Sequence, residues 1–168
     1  MRPKDRRDRL FWKNKPQLRP AVPDDLKWIK ASYKFENKQI PSDEWMLSRF
    51  AQYNEGIVGE DYHPMFESGF GPVGIVLAIA NGHIYEPHVE WFSWATPKNK
   101  LRLGVAYFQK FRYRNLGVIR VHALQQSVKF FKRLNDYVPL NYVGKIPAGD
   151  KWGRGDDFIF YMKCRGSQ

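Results

Sequence analysis

Residues 74–97 read GIVLAIANGHIYEPHVEWFSWATP, and this stretch decides the architecture. Residues 74–80 are a dense apolar run, Asn81 and Gly82 make a favoured tight turn, and 84–94 return as a second strand, so the segment reads as a β-hairpin. Thr96 then offers a capping hydroxyl and Pro97 suits a first helical position, so a helix begins where the hairpin ends.

Towards the C-terminus, Leu101, Val105, Phe108 and Phe111 recur at helical spacing and give that helix a buried face up to about Tyr113. Residues 115–117 end it, and 118–124 form a strand. Val128, Phe131 and Leu134 mark another helix, ending near Asp136. Strands at 140–146 and 158–164 close the chain, joined by a loop holding Gly149, Gly153 and Gly155. Towards the N-terminus, 56–72 are rich in Gly and Pro and read as a loop with at most a short strand. Ser42 caps a helix over 43–54 with Trp45, Met46 and Phe50 as its buried stripe. Pro23 opens a helix over 24–36, where Asp24 and Asp25 complement the helix dipole. A strand at 18–22 precedes it, and 1–17 read as a basic arm. The order predicts one α/β (α+β) domain over 18–168, with helices around a mixed sheet.

Composition sets further bounds. In 168 residues, 43% are hydrophobic and 16% aromatic, enough apolar side chain to bury a core without disulfides. The lone Cys164 excludes an internal disulfide and a cysteine metal site and reads as a packed or idle thiol. No apolar run approaches the roughly eighteen residues of a membrane span, and no apolar segment follows the charged start as in a secretory signal. The expectation is a soluble, intracellular-type domain.

The net charge is +11, and its signs are segregated. Arg2, Lys4, Arg6, Arg7, Arg9, Lys13 and Lys15 crowd the arm. Lys98, Lys100, Arg102, Lys110, Arg112, Arg114 and Arg120 lie in 97–121 with no acid among them, whereas acids dominate 42–67. Such a surface either faces a polyanion or is simply well solvated. Phe11 and Trp12 add aromatic anchors to the arm.

The element order resembles the GNAT acetyltransferase superfamily over 18–164. LRPAVPDDLKWI (18–29) looks like that family's first strand and helix, the 74–95 hairpin like its third and fourth strands, and 117–146 like its fifth strand, fourth helix and next strand. The resemblance implies a mixed central sheet with about four helices. It also implies three chemical parts. The first is a glycine-rich turn after the fourth strand, whose bare amides cradle the pyrophosphate of acetyl-CoA. Here the turn is ATPKNKLRLG (95–104), without paired glycines and with Pro97 lacking an amide; Gly104 lies too deep in the helix. Lys98, Lys100 and Arg102 remain as an electrostatic substitute. The second is a tyrosine that protonates the departing thiolate, and Phe131 stands at the matching position. Tyr137 and Tyr142 lie near it in sequence and read as core. The third is a base on the fourth strand. Glu90 matches, with His88 on the same face, and its aromatic neighbours predict a raised carboxyl pKa; the bland alternative is an ion pair with an arginine.

A narrower resemblance is to the small internal virion proteins of T7-type tailed phages, whose pattern is a degenerate acetyltransferase. FFKRL (130–134), the basic helix 98–114 and the small single domain carry it. It implies a virion location after synthesis in a host cytoplasm, with capsid, portal or tail subunits and packaged DNA as partners.

Other constellations carry less. His63, His83, His88 and His122 are scattered, so no metal site is expected. GDKWGRG (149–155) does not match phosphate-loop spacing. In YFQKFRYRN (107–115) the helical period buries Phe108 and Phe111 and exposes Lys110, Arg112 and Arg114, a basic helix face and no base-stacking platform. Three functional expectations follow. The first is a non-catalytic structural or internal virion protein that needs no cofactor, with the arm (Arg2, Lys4, Arg6, Arg7, Arg9, Phe11, Trp12) and Lys110, Arg112 and Arg114 as its contacts. The alternative is an acetyl-CoA-dependent N-acetyltransferase using Glu90, Lys98, Lys100 and Arg102. The third is a stand-alone nucleic-acid-binding protein.

Overall fold

A computed structural model of the chain describes residues 13–114 and 116–166, without the side chains of Arg114 and Leu116. The contacts expected of Arg2, Lys4, Arg6, Arg7, Arg9, Phe11, Trp12 and the Arg114 side chain lie outside the described residues.

Strand β1 (Gln17–Pro20) leads through a 3-10 turn (Pro23–Asp25) into α1 (Leu26–Phe35) and α2 (Asp43–Phe50). Then come β2 (Glu55–Tyr62), β3 (Phe70–Asn81), β4 (Ile84–Trp91) and α3 (Pro97–Arg114). The chain closes with β5 (Leu116–Ala123), α4 (Gln125–Leu134), β6 (Asn141–Ile146) and β7 (Asp157–Arg165). All seven strands join one sheet in the order β1-β2-β3-β4-β5-β7-β6. Neighbours are antiparallel except β4 and β5, which pair in parallel only at Ile84↔Val118 and Tyr85↔Ile119 and then diverge.

This is the mixed sheet with four helices that the sequence predicts, with corrections. Of the 56–72 stretch only 63–69 is a loop: its first part belongs to β2, paired along both edges, and its last three residues open β3. Gly56 and Gly59 hide the strand in the sequence. Gly59 is where α3 presses closest: a Cβ there would lie 2.0 Å from Leu103 Cδ1. A side chain for the strand is given up for helix–sheet contact. With β2 present, β3 starts at Phe70 opposite Tyr62. The hairpin turn is one residue later than expected, since Asn81 pairs with Ile84 and Gly82, at φ 59°, is the first central residue.

Helix α2 ends at Phe50 and not near 54. Of its expected stripe, Met46 is buried and Phe50 is half-buried, whereas Trp45 is 47% exposed with the Arg49 guanidinium 5.4 Å from its ring. Neighbouring helical residues point about 100° apart, so Trp45 and Met46 cannot share one face. Helix α3 behaves as predicted, burying Leu101, Val105, Phe108 and Phe111.

The core has two parts, one on each face of the sheet. Under α3 and α4 lie Val105, Phe108, Phe111, Phe131 and Leu134 with Ile119, Val121, Phe158, Phe160 and Met162. Under α1 and α2 lie Ile29 and Met46 with Val58, Val73, Ile75 and Leu77. Cys164 is buried in the first part, and burial pushes its thiol pKa up.

Candidate functional site

The resemblance points to three places: the N-terminus of α3, the far half of β4, and α4.

At the N-terminus of α3, Thr96 and Asn99 satisfy each other. Thr96 Oγ1 accepts from the Asn99 amide at 3.1 Å, and Asn99 Oδ1 accepts from the Thr96 hydroxyl at 2.9 Å and the Thr96 amide at 3.2 Å. Asn99 Nδ2 donates to Asp61 Oδ2 and to the Tyr62 carbonyl, both at 3.0 Å, which ties the first turn to the end of β2. The Asn99 amide is thus taken, the Lys100 amide bonds the Thr96 carbonyl, and Pro97 has none. A free-amide cradle is therefore not built here. Lys98 is exposed and Lys100 half-buried beside this turn. Arg102 corrects the expectation. Its side chain is 4% exposed, its Nε lies 3.0 Å from Oδ2 of Asp61 (1% exposed), and its Nη2 donates to the Asn14 carbonyl. Arg102 ties the Asn14 backbone to α3 and turns inward, towards Asp61.

On β4, Glu90 pairs with Arg49 of α2, and His88 Nε2 is 3.8 Å from the same carboxyl oxygen. Tyr53 stacks on His88 at 6.2 Å between ring centres, and Trp152, from the 149–155 loop, meets it edge-on at 6.1 Å. The predicted rise in the Glu90 pKa is overturned. Burial does push it up, but His88 and the Arg49 charge outweigh burial and hold the carboxyl below its ordinary value. A carboxylate made a weaker base and held by a guanidinium is poorly suited to take a proton.

On α4, Phe131 packs against Phe160 at 5.5 Å and carries no proton to donate. Tyr137 and Tyr142 are not core: they are 36% and 44% exposed, and Lys132 lies 5.0 Å from the Tyr142 ring.

Glu90 points to the α2 side of β4, where Arg49 holds it, whereas the space between β4, α3 and α4 lies on the other side of the strand and is filled. Trp91 of β4 meets Phe130 of α4 edge-to-face at 5.8 Å. Val89, Trp91, Leu103, Tyr107, Phe130 and Phe131 leave a cavity of about 10 Å3, room for at most one water molecule. Gly104 lets the helices close this far, since a Cβ there would lie 3.0 Å from Leu134 Cδ2 and 3.3 Å from Phe130 Cζ. The α3 turn thus offers no free-amide cradle, and the gap between β4, α3 and α4 is packed.

Sequence reasoning missed the network on the other face of the diverging strands. Arg120 Nε donates to Glu86 at 2.8 Å, His122 Nδ1 lies 2.7 Å from Asp157 Oδ2, and His122 Nε2 is 3.6 Å from Glu86. Burial raises the Glu86 pKa, but Arg120 and His122 outweigh it and leave the group below its ordinary value. These partners are far apart in sequence, and no local pattern announces them. Among the described residues no group of three or more His, Cys, Asp and Glu side chains is placed to hold a metal. Among the described residues no helix is long and apolar enough to cross a membrane. Of the basic face of α3, Lys110 is exposed and Arg112 half-buried, its guanidinium 5.4 Å from the Tyr113 ring.

No family model and no curated protein matches the chain. Solved structures do. A GNAT superfamily phosphinothricin acetyltransferase from Sinorhizobium meliloti, in complex with acetyl-CoA, aligns at TM-score 0.57 and 21% identity, over 89% of this chain and 88% of that one. The spermidine/spermine N-acetyltransferase SpeG from Vibrio cholerae aligns at TM-score 0.62 and 18% identity, over 89% and 95%. Ard1 from Thermoplasma volcanium aligns at TM-score 0.61 and 10% identity, over 89% and 98%. At such identities the likeness is one of fold.

Proposed function

We propose that this chain, which has the GNAT fold, does not transfer acetyl groups and instead acts by binding, as a structural protein whose basic surface contacts nucleic acid or acidic neighbouring subunits. The observation that carries this reading is the Trp91–Phe130 contact, which packs the space between β4, α3 and α4. The capped turn at Thr96, the Glu90–Arg49 pair and Phe131 in place of a proton donor support it. The net charge of +11 supports a polyanionic partner. The setting we propose, on the sequence resemblance alone, is the particle of a tailed phage.

The second reading is an acetyl-CoA-dependent N-acetyltransferase, and the solved structures favour it, since acetyltransferases share the fold and one was solved with acetyl-CoA. In that reading Lys98 and Lys100 face the phosphates, and Trp91 and Phe130 must part. Tyr53 joins His88 to an apolar cavity of about 230 Å3 under α2, lined by Leu26, Ile29, Leu47, Phe50 and Leu77, where the apolar part of an acceptor fits.

Calorimetric titration with acetyl-CoA at moderate salt separates the two. Absence of heat up to millimolar cofactor supports the binding protein. Saturable one-to-one binding, lost in a Lys98→Ala/Lys100→Ala variant, overturns it in favour of the enzyme.

A further inference from the structure

The helices cover the sheet unevenly. Helices α3 and α4 pack on one face as far as β5 and β7, burying Ile119, Val121, Phe158, Phe160 and Met162. On the other face, the core under α1 and α2 takes residues from β2 and β3 and from the chain just after β4, but none from β5, β6 or β7. The strand period therefore turns Ile159, Tyr161, Lys163 and Arg165 of β7, with Arg120 and His122 of β5, towards a face that no helix among the described residues covers.

The chemistry of that face is specific. Tyr161 is 41% exposed and stands opposite Arg120 on β5 and Asn141 on β6. Lys163 and Arg165 are exposed and make no ion pair among the described residues. The acids nearby are already matched, Glu86 by Arg120 and Asp157 by His122. At the loop end, Trp152 is 56% exposed, with Lys151 Nζ 4.2 Å and the Arg154 guanidinium 4.7 Å from its ring. Its contact with His88 places it on the same side of the sheet. Asp150 pairs with Arg154, and Lys151 makes no ion pair among the described residues. Between the loop and Tyr161 run the four residues after Asp157, about 13 Å of strand at ~3.3 Å each.

We propose that this uncovered face binds single-stranded nucleic acid, with Tyr161 and Trp152 stacking on bases and Lys163, Arg165 and Lys151 taking phosphates. An aromatic ring on an open sheet meets the flat face of a base, and that face is available only when the base is unpaired. Unmatched cations alongside supply the sequence-independent attraction to the backbone. The proposal deepens the binding reading by naming the surface and the ligand class, and rests on that reading only for its premise that the chain acts by binding. Acetyl-CoA titration tests that reading and oligonucleotide binding tests this one, so the two fail separately.

The test is fluorescence anisotropy of a labelled oligothymidylate of about twenty nucleotides against the full chain, over a salt series, with folding of each variant checked by thermal melt. Tyr161→Ala is expected to weaken binding about tenfold, whereas Tyr161→Phe keeps it. Lys163→Gln/Arg165→Gln is expected to weaken it and to lower the slope of log affinity against log salt by about 1.4. Lys129→Gln, on the exposed side of α4, is expected to change neither slope nor ranking of the variants. Failure of the parent chain to bind the strand at low salt overturns the proposal. So does equal binding of duplex together with indifference to Tyr161→Ala. A self-association that Tyr161→Ala dissolves in sedimentation also overturns it, by making the occupant a second copy.

Discussion

Trp91 on β4 and Phe130 on α4 meet edge-to-face with ring centres 5.8 Å apart and rings at 80°, bridging strand and helix across the place where β4 and β5 diverge. The contact is local packing, yet it decides whether the cleft beside it is a cavity or a core. It gives the first prediction. Phe130→Ala should cost about 3 kcal/mol in urea unfolding and open the space beside Trp91 and Gly104. Gly104→Ala should cost about 1–2 kcal/mol, since the new methyl meets Leu134 and Phe130.

Gly59 on β2 admits Leu103 so closely that any side chain collides with it. Gly59→Ala should destabilise the fold by about 3 kcal/mol, read as a fall in melting temperature. Gly144→Ala on β6, where an added Cβ meets nothing within 4 Å, should leave the melting temperature within a degree or two of the parent.

The Arg102–Asp61 pair is buried on both sides. Arg102→Met leaves the Asp61 carboxylate inside the protein without its guanidinium and should cost about 3–5 kcal/mol. Adding Asp61→Asn should recover part of that loss, a coupling that a double-mutant cycle in urea reads directly. If Arg102 faced a cofactor phosphate instead, the single variant would spare stability and change only cofactor affinity.

Stability should fall on acidification in a defined way. Hydrogen bonds from Arg19 hold the Asp25 carboxyl below its ordinary 3.8 against burial, and for Glu90 burial pushes upward but His88 and Arg49 together outweigh it and hold the group below its ordinary 4.5. A carboxyl whose pKa is lower folded than unfolded stabilises the fold above its ordinary value, and that contribution disappears as pH falls through the folded value. The urea midpoint should therefore be level with respect to these two groups from pH 7 to about 5 and decline from about 4.5 downward. Arg19→Met should lower the neutral midpoint, because Asp25 and Glu60 each lose a partner bonded at 2.7 Å, and should flatten the decline through Asp25.

How much of this was legible follows from the range of the forces involved. The hairpin, the capped start of α3 and the buried stripes of α3 and α4 were readable because each depends on neighbours within a few residues: an apolar period, a turn glycine, a hydroxyl before a proline. Those local signals determined the element order, and the order determined the fold. Strand β2 was not readable, because Gly59 answers to Leu103 and Asp61 answers to Asn99 and Arg102, about forty residues later. The site divided in the same way. Sequence alone determined that 95–104 holds no paired glycines and that residue 131 is a phenylalanine, since residue identity needs no geometry. Only the tertiary structure decided what the remaining groups do. It set Arg49 against Glu90, drew Arg102 inside, brought Trp91 onto Phe130 and left Tyr161 on an uncovered sheet, because charge pairing, burial and exposure are properties of residues brought together across the chain.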